Sequence, residues 1–291
     1  MSVKSRKARA RLRGQKLAPR WERLAKGRQP PAPIANAWEG KFSSAGPVVF
    51  PILQRYQVGD CYSIDPDGQG SAFFVTMGEE GGLFLTAKHV VESHSQEKPF
   101  GLLIIDPSGD KPSFYASAVQ RLALHPHFDA ALGLVHLSSP VPSALWNVGR
   151  RRLQPGEPFV TFGFPSTELE TFRHSDGTGL ATNFHPAEVK GFIERFQDDE
   201  DRFGPVYIHT TTLAGGISGG PLMSALDCKV YALNSRGFPP DCEMALSIVD
   251  LLDWEIPFLR KSLGMILDEA EAAARHGASA IAIALERGGK L

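Results

Sequence analysis

Three short segments of this 291-residue sequence carry side chains that could act together in nucleophilic chemistry. The first is the glycine-rich stretch 215–222, which contains Ser218. Glycines allow left-handed and crowded backbone conformations, so such a run can present N–H groups beside the serine hydroxyl. Acyl transfer needs that combination, because the attacking oxygen and the donors that stabilise the developing oxyanion must lie close together.

The other two segments supply a histidine and an aspartate. His89 follows the largely apolar run 83–87, and Asp129 stands directly before the apolar run 130–135. An imidazole titrates near neutral pH and is suited to act as a general base. A carboxylate at the head of a buried strand is costly without a partner. The second ring nitrogen of His89 would be that partner, and it would thereby fix the tautomer of the imidazole.

A competing motif overlaps the serine segment. Residues 216–220 also satisfy G-x-S-x-G, the nucleophile elbow of α/β-hydrolases. That fold needs a helix directly after the serine and the chain order serine, acid, histidine. Here Gly219, Gly220 and Pro221 begin a helix poorly, and His276 is the sole histidine after Ser218. The elbow interpretation is therefore disfavoured.

The chain order of the three segments resembles a known family. The strings T-A-K-H-V-V, D-A-A-L-G-L-V and G-I-S-G-G-P occur in that order, with Asp129 forty residues after His89 and eighty-nine before Ser218. They resemble the signature blocks of trypsin-like (chymotrypsin-fold) serine peptidases over about residues 47–250. The resemblance implies two perpendicular six-stranded antiparallel β-barrels with the active site between them, and hydrolysis of peptide bonds through an acyl-enzyme.

The same resemblance implies a role for each residue. Ser218 would be the nucleophile, His89 the general base and Asp129 the group that orients the imidazole. The backbone N–H groups of Gly216 and Ser218 would form the oxyanion hole. Digestive members carry an aspartate before the serine that accepts a new N-terminus, whereas here that position is Ile217. The sequence is thus more similar to bacterial and housekeeping members that need no zymogen cut.

The resemblance also implies a substrate pocket. Its floor would be Thr212, six residues before Ser218, and one wall would follow the strand that contains Asn234, Ser235 and Arg236. Since Thr212 is uncharged, a preference for Lys or Arg is not supported, and a small or apolar substrate residue is expected. Arg236 could instead favour an acidic one.

The pattern of short apolar runs agrees with an all-β fold. These runs are β-branched or aromatic and end at Gly, Pro, Asp or Ser, without amphipathic helices between them. We predict barrel one at about 47–140 and barrel two at about 155–250, joined by the proline-containing connection 138–158 with its Arg150, Arg151 and Arg152. The predicted strands are 71–76, 82–86, 102–105, 117–124, 130–137, 159–163, 189–196, 206–211, 221–223, 229–235 and 244–249.

The two ends of the chain differ from this domain. Residues 1–28 contain eleven Lys and Arg against one acid, which leaves twenty basic and thirty-one acidic residues in the rest. We interpret 1–46 as a basic, mobile arm with a Pro-rich linker that could contact nucleic acid, an anionic surface or the acidic body. Residues 251–291 predict one or two C-terminal helices, interrupted near Gly264 and Gly277, that pack on the second barrel.

The lengths of the apolar runs and the spacing of the cysteines limit the classes of function that we expect. No apolar run is long enough for a membrane span and no secretory signal is evident, so a cytoplasmic location is expected, with organelle targeting by the Arg-rich start as the alternative. Cys61, Cys228 and Cys242 have no metal-ligand spacing, and we expect no cofactor or metal. The expected partner is a protein or peptide substrate. The alternative function is a catalytically silent binding module that acts through the arm and the C-terminal helices.

Overall fold

The fold is described from a computed structural model of the chain. The described residues are 49–58, 61–78, 81–92, 99–106, 113–137, 147–165, 170–173, 180–183, 187–199, 204–235 and 243–276. The basic arm, Arg236, Cys242 and the segment 277–291 lie outside these ranges, as do the predictions made for them.

Six antiparallel strands close into barrel one, in the order β1-β2-β3-β6-β5-β4. A short helix, α1 (Lys88–Val91), follows the third strand. Aromatic and branched side chains of these strands are buried, among them Phe50, Phe73, Phe74 and Phe84, which are fully buried. The strands are β1 (Val49–Val58), β2 (Cys61–Met77), β3 (Gly81–Thr86), β4 (Phe100–Asp106), β5 (Ser113–Leu124) and β6 (Ala131–His136).

Six further antiparallel strands form barrel two, in the order β10-β11-β14-β13-β12-β7. Its core includes Leu153, Phe159, Ile193, Tyr207, Leu222 and Tyr231. The strands are β7 (Pro158–Gly163), β10 (Ala187–Asp199), β11 (Gly204–His209), β12 (Pro221–Ser224), β13 (Val230–Asn234) and β14 (Glu243–Ser247). A separate hairpin pairs β8 (Glu170–Arg173) with β9 (Leu180–Asn183).

The predicted all-β class with two six-stranded barrels is confirmed. Each predicted run overlaps one of the barrel strands, and several extend one or two residues past its ends. The prediction lacked β1, which contains Pro51 and the polar Gln54, and it lacked the short polar hairpin of β8 and β9. Strand β1 forms because it is paired on both sides, with β2 and β4, so tertiary pairing overrides its weak local pattern.

The C-terminal segment differs from the predicted one. After a 3₁₀ turn (Val249–Leu251) comes a small hairpin of β15 (Glu255–Ile256) and β16 (Lys261–Ser262), and then helix α2 (Leu263–His276). Gly264 does not interrupt a helix; it lies in the first turn of α2, where its N–H donates to the carbonyl of Leu252. The expectation that this segment packs on barrel two is also wrong for α2, which lies against β2 of barrel one.

The three consecutive arginines of the connection each pair with a carboxylate. Arg151 makes two hydrogen bonds to the buried Glu157, at 2.9 and 2.6 Å. Arg150 reaches Asp268 on α2, and Arg152 pairs with Asp250 at the end of barrel two. The described part of the connection is therefore tied to barrel two and to α2. No helix in the described ranges is long and apolar enough to cross a membrane.

A buried histidine in barrel two makes the stability depend on pH. His209 is 4% exposed, and its ring centre lies 5.0 Å from that of Phe159. Burial lowers its pKa from 6.5 to about 4, and among the described residues neither ring nitrogen has a hydrogen-bond partner that would favour the charged form. In the unfolded chain the imidazole binds a proton below about pH 6.5, whereas the folded chain excludes that proton down to about pH 4. The free energy of unfolding must therefore fall as the pH drops through this window.

We expect His209 to contribute a fall of at most about 3 kcal/mol between about pH 7 and pH 4. Thermal unfolding across this range measures the slope, and His209→Phe should make it shallower. Some slope should remain, because burial also lowers the pKa of His125 to about 4. His136→Gln, at an exposed position, serves as the matched control. Equal slopes for wild type and His209→Phe would contradict the assignment.

Candidate active site

The pairing of β3 with β6 brings His89 and Asp129 to the same end of barrel one. Thr86, at the end of β3, lies opposite Ala131, at the start of β6. Because the strands are antiparallel, the residues just after β3 and just before β6 leave the sheet side by side. His89 lies in α1, and Asp129 lies two residues before β6.

Two hydrogen bonds join the pair. Asp129 Oδ2 lies 2.7 Å from His89 Nδ1, and Asp129 Oδ1 accepts the backbone N–H of His89 at 2.9 Å. The carboxylate therefore holds both the ring and the backbone of the histidine. With Nδ1 carrying the proton, Nε2 is left as the acceptor nitrogen.

A third group completes the surroundings of the carboxylate. Ser235, which follows β13 of barrel two, donates its hydroxyl to Asp129 Oδ2 at 2.5 Å. Burial by itself would raise the pKa of Asp129, but the hydrogen bonds and charge of His89 and the hydrogen bond from Ser235 outweigh it and lower the pKa. Asp129 is therefore an ionised carboxylate at neutral pH.

The Ser218 loop is positioned by the pairing of β12 with β13. Pro221 lies opposite Leu233, so the residues before β12 and those after β13 emerge together. Gly219 N–H donates to Asn234 O at 2.8 Å, and Asn234 N–H donates to Gly220 O at 2.9 Å. The serine loop and Ser235 are thus adjacent at one end of barrel two.

Close contacts bring this end of barrel two against β2 and the end of β3 in barrel one. A Cβ added to Gly219, whose φ is +86°, would lie 2.2 Å from Ser71 O and 2.3 Å from Thr86 Oγ1, so a larger residue has no room there. A Cβ on Gly70 would lie 2.4 Å from a methyl group of Val90 and 3.2 Å from Ser218 O. The Ser218 loop therefore lies against the part of barrel one from which the His89 helix begins.

Two backbone N–H groups near Ser218 have no hydrogen-bond acceptor among the described residues. Gly216 has φ +92° and closes a turn in which Ile217 N–H reaches Ala214 O at 3.4 Å. Within the part of the chain that the structure describes, the N–H groups of Gly216 and Ser218 have no hydrogen-bond acceptor. Both residues are half-buried. Such a pair of donors can bind an oxyanion.

The described residues that were predicted for the substrate pocket differ in their burial and in their hydrogen-bond partners. Thr212 is exposed beside the serine loop. Asn234 is fully buried and donates its amide to Thr161 at 2.5 Å inside barrel two, while the Ser235 hydroxyl is bound to Asp129. The side chains of Asn234 and Ser235 therefore have partners away from a pocket. The family resemblance assigned Ser235 to the pocket wall, and its contact with Asp129 was missed because that contact depends on tertiary packing alone.

Other histidines near the site have structural surroundings. His125 is 7% exposed, accepts the backbone N–H groups of His127 and Phe128 at Nδ1, and stacks on the Phe128 ring. It shapes the turn that leads into Asp129. Among the described residues, no group of three or more His, Cys, Asp or Glu side chains could hold a metal ion.

Comparison with known proteins identifies the family. The sequence profile described as "Trypsin-like peptidase domain" matches residues 70–233, more than half of the chain. The chain therefore belongs to the trypsin-like peptidases. Ile217, the residue before the serine, is 1% exposed and packs against Gly163.

A solved structure of low identity shows the same fold. The chain is similar to the crystal structure of Deg5, with 17% identity and a TM-score of 0.54 over 76% of this chain and 92% of that one. It also matches an HtrA-type protease, AlgW, with tripeptide, at 17% identity and a TM-score of 0.47, over 84% of this chain and 64% of that one. No curated protein matches the sequence.

Proposed function

We propose that this protein is an active serine endopeptidase that cuts protein or peptide substrates through an acyl-enzyme intermediate. The observation that carries the proposal is the pair of hydrogen bonds that His89 donates to Asp129, beside a serine loop in which the N–H groups of Gly216 and Ser218 have no acceptor among the described residues. Membership of the trypsin-like peptidases supports the same reaction.

In the acylation step, Ser218 Oγ attacks the substrate carbonyl carbon and His89 Nε2 takes the hydroxyl proton. The carbonyl oxygen becomes an oxyanion and accepts the N–H groups of Gly216 and Ser218. As the carbon–nitrogen bond breaks, the same proton passes from His89 to the leaving amine. Water then attacks the ester carbonyl while His89 takes its proton. The bond between the carbonyl carbon and Ser218 Oγ breaks, His89 returns the proton to Ser218 Oγ, and the carboxylic acid product leaves.

The carboxylate of Asp129 acts through the histidine. Its hydrogen bond to Nδ1 selects the tautomer in which Nε2 can accept a proton, and its charge stabilises the imidazolium that forms. The lowered pKa of Asp129 keeps this charge in place when the imidazole is neutral, before each proton transfer. Ser235 supports the carboxylate from barrel two, so the orientation of His89 depends on both barrels.

A fluorophosphonate probe tests the proposal without knowledge of the substrate. Only an activated serine displaces fluoride from the probe at an appreciable rate. We expect native protein to gain one phosphonyl group, located by mass spectrometry on Ser218, and heat-denatured protein to gain none. Ser218→Ala should remain unlabelled. Absence of labelling in native wild type, or labelling at another serine, would contradict the proposal and favour a catalytically silent binding module.

A further inference from the structure

We infer that Ser71, a residue of barrel one, positions the oxyanion-binding loop of barrel two. The inference rests on the proposed peptidase function and adds to it a residue that does not contact the substrate. Ser71 lies in β2 and is fully buried. Its backbone and its hydroxyl each bind one carbonyl of the loop 216–219.

The first contact fixes the peptide between Gly216 and Ile217. Ser71 Oγ donates to Gly216 O at 2.8 Å, while Ile217 N–H, on the opposite edge of the same planar peptide, reaches Ala214 O at 3.4 Å. A bond of 3.4 Å is long for an N–H donor, so the Ser71 hydroxyl is the stronger of the two restraints. It thereby limits rotation about the backbone of Gly216, whose φ is +92°.

The second contact fixes the peptide between Ser218 and Gly219. Ser71 N–H donates to Ser218 O at 2.8 Å, and Gly219 N–H on the opposite edge donates to Asn234 O at 2.8 Å. The peptide that carries the Ser218 N–H lies between these two restrained peptides. Because peptide groups are planar, holding both neighbours leaves that N–H little freedom to turn away from the cleft.

The environment of Ser71 sets the direction of its hydroxyl. The backbone N–H of Phe164 donates to Ser71 Oγ at 2.9 Å, so the hydroxyl hydrogen is available for the Gly216 carbonyl. Thr86 Oγ1 donates to Ser71 O at 2.8 Å, and Ser71 also pairs with Pro51 of β1. Barrel one therefore holds the backbone of Ser71, and the hydroxyl hydrogen of Ser71 has Gly216 O as its acceptor.

The test compares two buried serines of barrel one. Ser71→Ala removes the hydroxyl but keeps the backbone bond to Ser218 O. Ser117→Ala removes a buried hydroxyl that binds His136 O, away from the site, and is the matched control. We expect Ser71→Ala to slow phosphonylation of Ser218 and to lower kcat for a peptide that the wild type cleaves by about 10- to 100-fold, below the loss for a whole oxyanion donor. KM should change less than about threefold.

A transition-state analogue separates positioning from stability. The trifluoromethyl ketone of the same peptide forms an oxyanion on Ser218, so its inhibition constant should rise with the fall in kcat in Ser71→Ala and stay unchanged in Ser117→Ala. Ser71→Cys, which keeps the shape of the side chain but is a weak donor, should lie between serine and alanine. If Ser71→Ala does not fold, the analogue affinity of Ser71→Cys decides the question alone.

Two results overturn the inference. One is an unchanged analogue affinity in a folded Ser71 variant, and the other is an equal loss in Ser117→Ala. Failure of the proposed function is distinct from both, because it would appear as a wild type that neither cleaves peptides nor reacts with the probe.

Discussion

Ser218→Ala is expected to lower kcat by about 10⁴- to 10⁶-fold while leaving the fold intact, as for a serine that forms the covalent intermediate. The structural reason for an intact fold is that the loop is held by backbone groups. Ser218 contributes its carbonyl to Ser71, and Gly219 contributes its N–H to Asn234. Alanine preserves both bonds and removes only the attacking oxygen.

Measurement of this variant needs two readouts. Cleavage of a fluorescence-quenched peptide selected with the wild type gives kcat, and thermal unfolding gives stability. Ser262→Ala, at a half-buried serine beyond the barrels, is the control for loss of a hydroxyl and should retain full activity. Substantial turnover by folded Ser218→Ala would mean that another group is the nucleophile, and the mechanism proposed above would have to be abandoned.

Asp129→Asn should be the second most severe substitution, with a loss in kcat of about 10⁴-fold. The asparagine amide has one acceptor oxygen and one donor nitrogen, whereas both carboxylate oxygens of Asp129 accept from His89. If the oxygen keeps the backbone N–H of His89, the NH₂ group faces Nδ1 and favours the tautomer with the proton on Nε2. That tautomer cannot take the proton of Ser218.

Because Asp129 acts through the tautomer of His89, the substitution should affect the chemical step and not substrate binding. The loss should fall on kcat and on the rate of phosphonylation, with little change in KM or in thermal stability. Asp253→Asn makes the same chemical change at an exposed position and is the matched control. Retention of more than about a tenth of wild-type kcat in Asp129→Asn would show that the carboxylate does not set the histidine tautomer.

The His89 and Asp129 pair could be predicted from sequence because a carboxylate at the head of an apolar strand needs a partner and the family resemblance indicates the same histidine; the strand pairing in the structure explains why the two residues meet. One residue follows β3, the other precedes β6, and antiparallel pairing of those strands makes the two neighbours. The apolar runs that define both strands are visible in the sequence. The family resemblance depended in addition on the chain order of histidine, aspartate and serine and on the glycine-rich segment around the serine.

The supporting serines could not be predicted in the same way. Ser235 reaches Asp129 across 106 positions of sequence, and Ser71 reaches Gly216 across 145. Each contact joins one barrel to the other, and no local pattern in either segment indicates the partner. The sequence around a serine does not indicate whether its hydroxyl faces solvent, a buried carbonyl or an active-site loop.

The C-terminal segment shows a different limit of sequence reasoning. Its Leu- and Ala-rich composition predicted helix, yet residues 255–262 form a hairpin before α2 begins at Leu263. Gly264 approaches the Leu252 carbonyl closely at the helix start, a contact that depends on how the preceding hairpin folds back. Tertiary contact here decides between two conformations that local propensity does not separate.

The division of the site between the barrels also bears on the timing of synthesis. The residues of barrel one leave the ribosome first, and domains generally fold in that order. His89 and Asp129 can then meet, but Ser235 and the serine loop are made only with the last strands of barrel two. In the proposed peptidase, proteolytic activity is thus withheld from the nascent chain until both barrels have been translated and joined.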